Sequence, residues 1–163
     1  MMKRFFSTSP SYLQSIQGLH RLHSLAPEGR DESPEADEVR DGLEHAWRML
    51  SEVEKKRITG LSEDLDSLGG PPRHARPMEP EANRGLVEAD EARQAGEWDC
   101  ALELLRRWGE YVEPVTLSRL RGDIWQEAGD PDTAAIFLGH AEDLARDDDG
   151  VTVPDGGTAM PLR

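Results

Sequence analysis

Cysteine, aromatic side chains and basic charge are all scarce in this chain of 163 residues. A single cysteine, Cys100, excludes an internal disulfide framework and any CxxC metal knuckle. Aromatics make up only 6 % of the residues, so a core has to be assembled mostly from leucine and alanine, as helical proteins do. No apolar run approaches the length of about 18 residues that a membrane-spanning helix requires. Basic residues number 19 against 33 acidic ones, a net charge of -14. A surface of that sign repels phosphate backbones and anionic lipid, which argues against nucleic-acid and membrane partners. Also missing are a glycine-rich phosphate loop, a nucleophile elbow, an HExxH pair and paired Cys/His ligands. The expectation is therefore no enzyme, no catalytic residue and no cofactor.

The N-terminal half reads as three helices. In residues 11–26, Leu13, Ile16, Leu19, Leu22, His23 and Ala26 recur at three- and four-residue spacing, the period of one helix face. The segment Pro27-Glu28-Gly29 ends that run. Ser33 followed by Pro34 restarts the chain, because Ser is an N-cap and Pro suits the first turn. Val39, Leu43, Ala46, Trp47 and Leu50 then share a face. Ser51 and Glu54 form a capping box that opens a third helix with Val53, Ile58, Leu61, Leu65 and Leu68 as its apolar positions. Residues 11–68 are thus expected to form one small helical unit.

Several residues in this half invite chemistry and are read as structural. His20, His23 and His45 lack a fixed third ligand position or an assisting thiolate, so no metal site is expected. Glu63, Asp64 and Asp66 read as a solvated polar face, without the buried pocket that pushes two carboxylates apart in pKa. Lys55-Lys56-Arg57 is spread around a helix by its 100° step and reads as a solvated face. Cys100 sits in a helical apolar pattern with no nearby cation before it, and is expected to be a small buried or half-buried thiol rather than a nucleophile. Residues 1–24 contain no acid, as transit peptides do, but no apolar run follows the initial basic pair, and the expected location is cytoplasmic.

Residues 69–82 hold two Gly and four Pro and read as a linker between two halves. Acidity concentrates beyond it: residues 84–149 carry 7 basic and 17 acidic side chains. Within that half the chain resembles itself at a displacement of 33 residues. Ala95-Gly96 falls on Ala128-Gly129, Asp99 on Asp132, Ala101 on Ala134, and Leu104-Leu105 on Phe137-Leu138. Each unit reads as a helix, a turn closed by Gly in a left-handed conformation, and a second helix. Asp130 is the expected cap and Pro131 the first turn of the last helix. A period in the low thirties holding two helices is the mark of helical repeat arrays. The last stretch, residues 147–163, has no periodic run and reads as a disordered tail.

The series Gly122, Trp125, Gly129, Ala134, Leu138 and Ala141 resembles the tetratricopeptide repeat (TPR), which spaces small, aromatic, turn-glycine and alanine positions in this order. The preceding unit has Ala89, Ala92, Gly96, Ala101, Leu105 and Trp108, with Ala for the aromatic and Trp for the last alanine. The expected fold is all-α: an N-terminal unit of about three helices followed by two TPR-like helix-turn-helix repeats over residues 83–146. The resemblance implies a non-enzymatic interaction or scaffold module that holds a peptide or protein on the concave face of the first helices. Carried over residue by residue, that face comprises Asn83, Leu86, Asp90, Arg93 and Gln94 in the first repeat and Thr116, Arg119, Asp123, Gln126 and Glu127 in the second. Arg93 and Arg119 would donate to a carboxylate, whereas Asp90, Asp123 and Glu127 favour a basic or mixed-charge partner. An array this short also suits a structural helical domain that acts only through homo-oligomerisation.

Overall fold

A computed structural model describes residue 6 and residues 8–156, with side chains described as far as Asp147. All elements among the described residues are helical: α1 (Pro10–Leu25), α2 (Pro34–Trp47), α3 (Glu52–Ser67), α4 (Pro80–Gln94), α5 (Trp98–Trp108), a 3₁₀ turn (Gly109–Tyr111), α6 (Pro114–Glu127) and α7 (Pro131–Gly156). They fall into two compact units, Met1–Pro72 and Arg73–Arg163.

In the first unit α1 packs on both α2 and α3. Local chemistry sets the boundaries. Ser9, Ser33 and Ser51 each accept a hydrogen bond from a backbone N–H three residues ahead, and Ser51 with Glu54 closes the full capping box. The core is Tyr12, Ile16, Leu25, Ala36, Ala46, Leu50, Ile58, Leu61 and Leu65. Four sequence expectations change here, the first being Leu13, expected on the apolar face of α1 but exposed at 42 %. Trp47 and Val53, placed on inner faces by their period, are exposed at 38 % and 60 %: they flank the α2–α3 joint, where the Lys55 ammonium lies 5.7 Å from the Trp47 ring centroid. Asp64, read as solvated, is buried, since it lies three residues after Leu61 and beside Leu65 on the inward stripe of α3. Arg57 is not on a solvated face either. Its guanidinium carbon stands 3.8 Å from the Phe6 ring centroid and 5.4 Å from that of Tyr12, a stacking arrangement open to a planar cation on a long stem.

In the second unit α4 packs antiparallel to α5 and α6 to α7, with α5 meeting α6. Gly96 and Gly129 close the two hairpin turns at φ of 76° and 92°, a region that only glycine enters without steric cost. Asp130 caps α7 through its carboxylate, which accepts from the N–H of Thr133 at 3.0 Å. The core is rich in alanine, with Ala82, Ala89, Ala92, Ala101, Ala128, Ala134 and Ala141 all buried, so the helices approach closely. Trp98, Trp125 and Phe137 are the largest apolar side chains buried there, at about 1.5–3 kcal/mol per buried side chain. Cys100 is exposed, contrary to expectation: it falls on the outer side of α5, one position before the buried pair Ala101 and Leu102.

Two expected boundaries also move. Pro80 begins α4 inside the stretch read as linker. Helix α7 runs to Gly156, past residue 147: after Pro131 the next proline is Pro154, so no residue before it removes a helical N–H. The remainder of the expected tail, 157–163, lies outside the described residues.

Candidate functional site

The residues expected to face a partner lie on α4 and α6 of the second unit, and most of them touch one another. Arg93 donates to Glu127 across the two helices, with Nε 3.1 Å from both carboxylate oxygens and Nη2 2.5 Å from one. Asp123 stands 3.9 Å from the same guanidinium. The hydrogen bond to Glu127 is the main cause holding the Arg93 pKa above its ordinary value; burial opposes it, and Asp123 and Asp90 add attraction. Asp90 in turn accepts a 2.6 Å hydrogen bond from the Gln94 amide.

This pattern follows from helix spacing. Asp90 and Arg93 are one turn apart on α4, and Asp123 and Glu127 one turn apart on α6, so two short rows meet side by side. Three carboxylates surround one guanidinium, leaving the face negative. Arg93 is paired with Glu127 within the chain, so a partner carboxylate would compete with Glu127 for its guanidinium. Leu86 is half-buried, while Arg119 and Gln126 are exposed on α6. Arg119 has no ion-pair partner among the described residues.

Sequence reading missed a second feature of this unit. Residues 73–79, expected to be part of a linker, are fastened to the end of α5 and the turn beyond it. The Arg73 guanidinium donates to the carbonyls of Gly109 at 3.1 Å and Val112 at 3.3 Å. The Ala75 N–H reaches the Glu113 carboxylate at 3.2 Å, and the Arg76 N–H reaches the Glu110 carbonyl at 2.8 Å. Arg76 also pairs with Glu110 and lies 5.0 Å from the Tyr111 ring centroid, while the Tyr111 hydroxyl donates to Glu79 at 2.9 Å. That last bond favours the neutral phenol and pushes its pKa up. Cations over the carbonyl end of a helix are favourable, so Arg73 completes α5 where the expected linker was thought only to connect. Arg121 was overlooked as well: it is buried at 4 % exposure, midway between Leu117 and Trp125 on the inward stripe of α6, a position the four-residue spacing does reveal.

Nothing in either unit gathers a metal set: among the described residues no three His, Cys, Asp or Glu side chains are placed to hold one. No helix among them is long and apolar enough to cross a membrane. The Cys100 thiol has its pKa raised, first by desolvation and then by Glu97, Glu103 and Glu88. Compared with known protein families, with curated proteins and with solved structures, the chain matches none.

Proposed function

We infer that the second unit is a non-enzymatic interaction module, two TPR-like hairpins that hold a basic segment of a protein or peptide across α4 and α6. The observation that carries this reading is the charge of that face: Asp123 and Glu127 pair with Arg93, Asp90 adds to the negative field there, and these three carboxylates outnumber Arg93 and the exposed Arg119. A lysine or arginine arriving there meets carboxylates already held in place by Arg93 and Gln94, so little side-chain entropy is lost on binding. Supporting the repeat reading, the two hairpin turns share positive-φ glycines 33 residues apart, and Ala101 and Ala134 are both fully buried at matching positions. The first three helices then form a unit of their own.

The test is fluorescence anisotropy of a labelled lysine-rich peptide and of its glutamate-rich counterpart, titrated with the full chain. The basic peptide should bind and the acidic one should not. Asp90→Lys with Asp123→Lys should weaken the basic peptide by at least about tenfold, the range of two charge-assisted contacts. Unchanged binding after both substitutions overturns the reading. So does a concentration-dependent dimer, seen by sedimentation, that these substitutions dissociate, because the face would then belong to a second copy of the chain.

A further inference from the structure

A different site lies in the first unit, where α1 and α3 end. There the fold leaves a crevice of about 510 Å³, within the range of about 300–1,000 Å³ typical of small-molecule sites. Small residues create it: Ala26 and Pro27 follow the last turn of α1, and Gly69 follows α3, so no bulky side chain fills the gap between the helix ends. One wall is apolar, made by Leu19 and Leu22 of α1 and Leu65 of α3. Polar groups line it as well: His23, Ser62, Asp66, Asp31 and Arg40. An open crevice that combines apolar side chains with several polar groups has the composition to take an amphipathic ligand.

The charges decide what kind of ligand. Arg40 is the only permanent cation on the lining, and its guanidinium is engaged, donating to the Asp37 carboxylate at 3.2 Å and to the Asp31 carbonyl at 2.5 Å. Asp66 sits in the last turn of α3, which has no basic residue to balance the carbonyl end of the helix. The last turn of α1 offers only His23. Burial lowers the pKa of His23 more than Asp66 raises it, so the imidazole is neutral near pH 7 and keeps a ring nitrogen as acceptor. The crevice therefore presents acceptors without a free donor of charge.

We propose that this crevice binds a small amphipathic organic cation, its ammonium held by Asp66 and His23 and its apolar body laid against Leu19, Leu22 and Leu65. A primary ammonium has three N–H donors, which match the Asp66 carboxylate, the His23 nitrogen and the Ser62 hydroxyl. A carboxylate ligand would have to displace Arg40 from its partners and would face Asp66.

The test compares three probes of one shape, 4-phenylbutylammonium, 4-phenylbutanol and 4-phenylbutanoate, titrated into the full chain and followed by NMR. The ammonium should give saturable shifts at the His23 ring and at the Leu22 and Leu65 amides, with affinity about tenfold above the alcohol, as a charge-assisted hydrogen bond gives. The carboxylate should not saturate. Asp66→Asn should bring the ammonium down to the level of the alcohol without lowering the thermal midpoint, since it removes a negative charge from the carbonyl end of α3. Diffuse attraction to a chain with 33 acidic side chains would barely respond to the loss of one, so the variant separates a site from the general field. Ammonium binding that survives Asp66→Asn, carboxylate binding as tight as that of the ammonium, or shifts confined to residues beyond 72 would each overturn the proposal.

Discussion

Replacing Gly85 by alanine places a methyl group where the indole of Trp108 already sits. A Cβ at residue 85 falls 2.1 Å from Nε1, 2.3 Å from Cδ1 and 2.7 Å from Cε2 of that ring. Carbon atoms in contact stand about 3.5–4.0 Å apart, so the ring has to withdraw by ~1.5 Å. Three atoms of a rigid indole are involved, not the tip of a flexible chain, and the ring is already in contact with Tyr111, their centroids 6.2 Å apart. Overpacking costs about 1–3 kcal/mol and this geometry belongs at the upper end, whereas alanine for glycine inside a helix returns about 1 kcal/mol. The expected net effect is a loss of about 2 kcal/mol, or a drop of roughly 10 °C in the midpoint of a unit this size. Thermal and urea melts followed by far-ultraviolet circular dichroism measure it. The companion experiment is a double-mutant cycle with Trp108→Leu. Once the indole is gone, Gly85→Ala should stabilise by up to about 1 kcal/mol, because only the helix-propensity gain remains. If Gly85→Ala raises the midpoint in the parent chain, Trp108 does not rest on α4 and the register of the α4–α5 hairpin is wrong.

Further outcomes follow from other sites. Ser51→Ala removes one half of the capping box at the start of α3 and should cost about 1 kcal/mol in urea titrations, with Ser51→Asp close to the parent. The folded chain holds the His23 pKa below its ordinary 6.5, so the unfolded state binds more protons at acid pH. The stability from this group is complete above pH 6.5 and is lost as pH falls from there through the lower folded-state pKa; His23→Gln should flatten the pH profile in that window, and an unchanged slope refutes the burial of the imidazole. Cys100 should be alkylated by iodoacetamide without denaturant, but more slowly than a free thiol at the same pH, because desolvation and Glu97 disfavour the thiolate. Labelling seen only after unfolding contradicts its exposure.

What the sequence determined by itself is the local part of the fold. The starts of α2 and α3 at Ser33 and Ser51, the cap at Asp130 and the left-handed turns at Gly96 and Gly129 are each decided within about four residues, because a helix terminus has to find partners for its first N–H groups nearby. The small residues at Ala101 and Ala134 were legible for the same reason, as a period. The tertiary structure alone decided which faces are covered and which distant groups meet. Trp47 has the right spacing for a core and is exposed, while Asp64 has the wrong chemistry for a core and is buried. Arg93 finds Glu127 across 34 residues, and Arg73 finds the carbonyls of Gly109 and Val112 across 36 and 39. Periodicity assigns a side chain to a face of its own helix, but the neighbour on that face depends on how helices are registered against each other. The electrostatic character of the α4–α6 face and of the crevice beside His23 therefore emerges only once the helices are packed.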